Sequence, residues 1–289
     1  MTLPAAIRDF YLQPGPMTAL PRDFAEALPG DVAGVFALVQ GLMMHQFWTQ
    51  AYGEALTDAG RAQAHARSSG QILALARGLD PAPFGVARPP ARRVIGVCRH
   101  FSVLASALLR RQGVPARARC GFGLYFDGAP VDHWVVEYWD AAAGVWRLGD
   151  AQLDAVQLGA LKPNFDPLDA PRDQFLVGGE AWRRCRAGEA DPQTFGILDM
   201  HGLWFVAGNL VRDIAALNNM ELLPWDVWGL MPQPGEDLGA DALTQLDEAA
   251  AISLAPDARF DDLLRLYADP GWRAPPQVMN AVTQRMDVL

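Results

Sequence analysis

Gly96-Val97-Cys98-Arg99-His100-Phe101-Ser102-Val103-Leu104 reads as a tight entry through glycine leading straight into a helix with a cysteine at its mouth. Phe101, Leu104, Ala105 and Leu108 recur at i, i+3, i+4 and i+7, which predicts one buried helix face. Arg110 and Arg111 close the last turn, where cations suit the helix dipole, and Gly113 before Val114-Pro115 ends it. Cys98 therefore falls at or near the helix N-terminus. First-turn amides without intrahelical acceptors, and the positive end of the dipole, favour thiolate over thiol there. A cysteine nucleophile belongs in such a place.

A nucleophile needs a base, and the base needs an orienting group. Asp132-His133-Trp134-Val135-Val136-Glu137-Tyr138-Trp139 is rich in aromatic and β-branched residues and reads as a strand. Ala141-Ala142-Ala143-Gly144 is the loop, and Val145-Trp146-Arg147-Leu148-Gly149-Asp150 is the return strand. If Asp140 pairs with Val145, a regular hairpin pairs Val135 with Asp150 and His133 with Gln152. His133 and Asp150 are then diagonal neighbours on one face, ~7–8 Å apart at the backbone.

The order Cys…His…Asp, with the cysteine on a helix and the other two on adjacent antiparallel strands, resembles the transglutaminase-like superfamily. The matching text is GVCRHFSVLASALLRRQGVPARARCGFG, then DHWVVEYWD, then VWRLGDAQLD, spanning roughly residues 93–154. Its phrasing is that of bacterial transglutaminase-like domain proteins with a papain-like triad. Arg99-His100 departs from the flanking residues of many relatives. The resemblance implies that Cys98 is the nucleophile, His133 the base and Asp150 the orienting carboxylate. It implies acyl transfer through a thioester on an amide or thioester substrate, by an amidase, protease or amide-forming acyltransferase. The family also holds inactive scaffolds, so the alternative is a non-catalytic binding module.

Composition narrows the partners. The chain has 289 residues, 51 % hydrophobic, enough for one large or two small domains. A formal net charge of −9 argues against a nucleic-acid partner. The apolar stretch 32–44 is too short for a membrane span, and no secretory signal is evident. Cys98, Cys120 and Cys185 make neither a disulfide framework nor a metal-ligand spacing, which suits a reducing cytoplasm. No phosphate loop or dinucleotide fingerprint occurs, so no cofactor and no metal is expected. The expected partner is a small-molecule, peptide or carrier-bound acyl substrate; oligomeric state is not legible.

Elsewhere the reading is coarser. Residues 1–30 form a proline-rich arm with a short helix over 21–28. Asp31 caps a helix from 32 to about 50. Its tail, Met44-His45-Gln46-Phe47-Trp48, is plain core packing or, on the sharper reading, brings Gln46, His45 or Trp48 to an oxyanion site. Trp134, inside the histidine motif, is a further candidate. Residues 58–79 form one or two helices. From Ala116 onward alternation puts Ala118, Cys120, Phe122 and Leu124 on one strand face and Arg117 and Arg119 on the other, making Cys120 a structural thiol. Cys185 has basic neighbours of the kind that lower a thiol pKa but no evident base. His100 reads as structural or exposed. Residues 175–186 form strand-turn-helix with Gly178-Gly179 as the break, and 201–219 and 242–254 are helices. Trp204, Asn209, Asp213, Trp225 and Asp226 are expected to include residues lining a cleft over Cys98; the alternative is that they only pack the added helices. The expected fold is α+β: a Cys-bearing helix on an antiparallel sheet, with N-terminal helices and a mostly helical C-terminal half. The expected divisions are 1–30, 31–160 and 161–289, packed as one unit.

Overall fold

The computed structural model describes residues 2–289 except 23, 25 and 127. It is an α+β chain of two compact units.

The first unit comprises Met1–Ala118 and Val135–Pro171. It opens with α1 (Ala5–Leu12), which buries Ile7 and Tyr11. The arm reading missed this helix because its eight residues span little more than two turns and bury only Ile7 and Tyr11. The expected helix over 21–28 includes positions outside the described residues. Asp31 caps α2 (Val32–Leu42), accepting from the Gly34 N–H at 2.7 Å. The helix then ends well short of residue 50. Met43–His45 instead form strand β1, and 46–52 tighten into a 3-10 helix. β1 lies parallel to β2 (Val94–Gly96), pairing Met43 with Val94 and His45 with Gly96. Helical apolar spacing runs through Met43 in the sequence, but a strand partner so far along the chain overrides it. α3 (Asp58–Gln63) and α4 (Ser69–Leu79) fill 58–79, the second behind a capping box of Ser68 and Gln71.

The helix α5 (Cys98–Arg111) is buried along its whole length except at Arg111. One buried face was expected; instead α1, α2, α4 and β2 all pack on it. Phe101, Leu104, Ala105 and Leu108 join Val35, Val39, Leu42 and Ile72 in the core. Each fully buried large apolar side chain contributes roughly 1.5–3 kcal/mol. After α5 come β3 (Ala116–Gly123), β4 (Val131–Asp140) and β5 (Val145–Gly149). β4 and β5 pair in the expected register, from Asp140 with Val145 to Val136 with Gly149. The ladder stops there, and Asp150 begins a turn rather than continuing the strand. α6 (Ala155–Leu161) follows.

The second unit comprises Arg119–Trp134 and Arg172–Leu289. The division cuts β3 after Ala118 and β4 after Trp134. Here the strand order is β6 (Phe175–Val177), β3, β4, β7 (Gly196–Ile197) and β8 (Met200–His201). α7 (Gly178–Arg186) starts directly after β6, so Gly178-Gly179 is its first turn and not a break. A Cβ on Gly178 would stand 2.9 Å from the Leu210 Cα, and one on Gly179 2.6 Å from the Ser253 Oγ. The glycines thus let α7 approach α8 (Leu203–Leu217) and α9 (Ala240–Leu254) closely. β9 (Asp226–Val227), α10 (Phe260–Ala268), β10 (Gln277–Asn280) and β11 (Arg285–Val288) complete the chain, the strands in the order β11-β10-β9. Among the described residues no helix is long and apolar enough to cross a membrane.

Candidate active site

Cys98 is the first residue of α5, where burial leaves it 6 % exposed. Val97 has no side chain able to cap the helix. His100 acts in its place, and its Nδ1 accepts from the Val97 N–H at 3.2 Å. Complete burial, with Arg99 beside it, pushes the His100 pKa down to about 3. The ring is therefore neutral at physiological pH, a structural group at the helix start. Ser102 Oγ donates to the Cys98 carbonyl at 3.2 Å, a further tie within the first turns.

The β1–β2 pairing brings the tail of α2 to this place. His45 stands opposite Gly96, two residues before Cys98. His45 is buried and its Nδ1 accepts from the Phe47 N–H at 3.2 Å, so it fastens the start of the 3-10 helix. Gln46 and Trp48, the first and third residues of that helix, are half-buried, and Phe47 is exposed.

Asp150 is wholly buried in the turn after β5. Its N–H donates to the Pro167 carbonyl at 2.7 Å, and its Oδ1 accepts from the Gln152 N–H at 3.0 Å. Asp154 is the nearby rival carboxylate, but it caps α6 through the Val156 and Gln157 amides and accepts from the Tyr52 hydroxyl at 2.7 Å.

His133 belongs to the second unit, three residues before Val136 in β4. It is buried among aromatic edges: Phe126 at 4.8 Å, Tyr125 at 5.8 Å and Phe175 at 6.2 Å between ring centroids. Apolar walls of this kind restrict an imidazole to few orientations. Trp134 next to it is buried, with its indole N–H unpaired among the described residues.

The remaining candidates of the second unit fall mostly into structural networks. Asp213 accepts from Arg119 Nε at 2.9 Å and Nη2 at 2.8 Å, from the Cys120 N–H at 3.0 Å and from Ser253 Oγ at 2.7 Å. It is fully buried with both oxygens engaged. Arg119 is correspondingly buried, as is Arg117, which meets Glu137 at 2.7 Å in the first unit. Both faces of β3 are thus interior, the arginine face as well as the face of Cys120. Asn209 donates to Asp132 Oδ1 at 2.8 Å and to the Gly121 carbonyl at 3.2 Å. Burial raises the Asp132 pKa, opposed by that hydrogen bond and by Arg212. Asp226 is buried and accepts from the Leu223 N–H at 2.8 Å, shaping the turn before β9. Trp225 precedes it, half-buried, and its carbonyl accepts from the Ala281 N–H at 2.9 Å. Trp204 lies edge-on to Phe205 at 5.4 Å and donates to the His201 carbonyl at 2.9 Å.

Cys185 departs from its expectation as well. Burial and Asp191 push its thiol up to about 11. The flanking cations are committed elsewhere: Arg183 to Glu180 and Glu189, Arg184 to Glu180, and Arg186 to Asp247. Among the described residues no His, Cys, Asp and Glu group could hold a metal ion.

Residues 80–151 match the family model of the transglutaminase-like superfamily. That stretch is similar to the transglutaminase-like core. The matched stretch contains Cys98, His133 and Asp150 together with all of α5, β3, β4 and β5. No curated protein and no solved structure matches the chain. Members of this superfamily generally work by cysteine-based acyl transfer or hydrolysis. Sequence reasoning missed the polar groups around Asp150, namely Tyr52, Gln152 and Gln157. Tyr52 comes from a segment far earlier in the chain, and Gln152 and Gln157, though close to Asp150 in sequence, carry no motif that signals their pairing.

Proposed function

We propose that the transglutaminase-like core is a cysteine-dependent acyl-transfer enzyme acting on an amide or thioester. The observation that carries this reading is the placing of Cys98 as the first residue of α5, inside the matched stretch. Cys98 Sγ attacks the carbonyl carbon and its proton passes to His133. The tetrahedral oxyanion is met by the Cys98 N–H and by Gln46, whose segment is brought beside the helix start by the pairing of His45 with Gly96. Collapse expels the leaving amine or thiol, which takes the proton from His133, and leaves a thioester. Water then yields an acid, or an amine yields a new amide. Asp150 holds the imidazole tautomer throughout. A reducing cytoplasm would keep the thiol in this state, and the net charge of −9 agrees with a substrate other than nucleic acid.

The test is intact-mass analysis after incubation with p-nitrophenyl acetate and with amide and thioester donors. The expected result is a single acyl group mapped to Cys98 and absent from Cys98→Ala. A Cys98 that reacts with iodoacetamide yet takes no acyl group from any donor would instead make the core a binding module.

A further inference from the structure

Tyr52 closes the 3-10 helix that Gln46 opens. Its hydroxyl donates to Asp154 Oδ2 at 2.7 Å and accepts from Gln157 Nε2 at 3.4 Å. Gln157 Oε1 accepts from Gln152 Nε2 at 2.9 Å, and the Gln152 N–H donates to Asp150 Oδ1 at 3.0 Å. A continuous polar path thus runs from the phenol to the Asp150 carboxylate. Gln40 Nε2 donates to the Leu153 carbonyl at 3.2 Å, tying the same turn to α2, which leads into β1 and Gln46. Arg93 stands 3.6 Å from Asp154 and 5.6 Å over the Tyr52 ring.

Local structure does not require this path. Asp154 caps α6 with Oδ1 alone, leaving Oδ2 to the phenol. The β4–β5 ladder is complete at Gly149. Gln152 and Gln157 are buried at 2 % and 1 % exposure, and the Gln152 Oε1 has no partner among the described residues. Partly satisfied buried networks cost stability, so stability alone does not account for this one. What the path accomplishes geometrically is to join the turn carrying Asp150 to the helix carrying Gln46.

We infer that Tyr52, acting through Gln157 and Gln152, is a positioning residue that locks the Asp150 turn to the 3-10 helix of Gln46. The inference rests on the reading of Asp150 as the carboxylate that orients His133. A fixed Asp150 favours the imidazolium, and the imidazolium favours the Cys98 thiolate. Burial raises the Tyr52 pKa, so the phenol keeps its proton and remains a donor.

The experiment measures the rate of Cys98 alkylation by iodoacetamide as a function of pH in the full chain. The reference variants are Asp150→Asn and His133→Ala, the test variants Tyr52→Phe and Gln157→Leu, and the control is Ile72→Val, a core change on α4 that removes no member of the path. Melting temperature is recorded for each. Tyr52→Phe and Gln157→Leu are expected to raise the midpoint by about half a pH unit or more, in the same direction as Asp150→Asn. Ile72→Val is expected to lower the melting temperature and leave the midpoint in place. If the reference variants shift the midpoint while Tyr52→Phe and Gln157→Leu behave like Ile72→Val, the lock is refuted and the triad stands. If Asp150→Asn and His133→Ala do not shift it, the triad falls and the lock with it, whatever Tyr52→Phe does.

Discussion

His100 lies two residues past the candidate nucleophile yet serves the backbone, as the acceptor that starts α5. Its titration carries a measurable signature. The folded pKa is depressed to about 3 against 6.5 for the ordinary group, because burial disfavours the imidazolium. A depressed histidine binds its proton in the unfolded chain first. Its contribution is therefore intact above the unfolded value and is lost as pH falls from 6.5 toward 3, by up to about 1.4 kcal/mol per pH unit. His100→Gln keeps an acceptor at the third helical position but does not titrate. Thermal melts across that interval are expected to fall less steeply for the variant; parallel curves would mean that His100 does not govern the acid limb. At this scale the sequence was informative where chemistry is local. A cysteine that opens an apolar helical pattern announces its helix end by itself. The buried pairings of Arg117 and Arg119 were not legible, because Glu137 and Asp213 lie far along the chain.

At the scale of elements, the register of β4 and β5 and the extent of α5 followed from periodicity and turn residues. α2 was overrun because β1 exists only by virtue of β2, and helical spacing carries no trace of a distant parallel partner. α7 was misplaced at its start because paired glycines are usual chain breakers, whereas here they admit two neighbouring helices. The join among these elements is Asp213, which links β3 through Arg119 and the Cys120 amide to α9 through Ser253. Removing one partner of a buried ion pair costs roughly 3–5 kcal/mol, since the other charge stays behind without compensation. Asp213→Asn is expected to lower the melting temperature by several degrees. An unchanged melting temperature, with altered acylation of Cys98, would instead give Asp213 a substrate-facing role.

At the scale of the whole molecule, each unit is assembled from two separate stretches of chain, and the family match at 80–151 contributes to both. Composition could bound the size of the core but not this interleaving, which arises because β3 and β4 are each divided along their length. The enclosure of α5 has a further consequence, for the slow motions of the molecule. A helix buried on every side loses its hydrogen bonds only when its surroundings come apart. In hydrogen–deuterium exchange, the amides of 101–110 should be among the last of the first unit to exchange, at a rate set by global opening. The amides of 46–52, on a half-exposed 3-10 helix, should exchange sooner. Early exchange across 101–110 would show α5 to be a local opening unit. Cys98 is only 6 % exposed, so on the proposed acyl-transfer reading a bulky donor reaches it only by displacing something. If α5 exchanges last, as expected, that displacement falls to a neighbour of the helix, and the sulfur keeps its place while the neighbour moves.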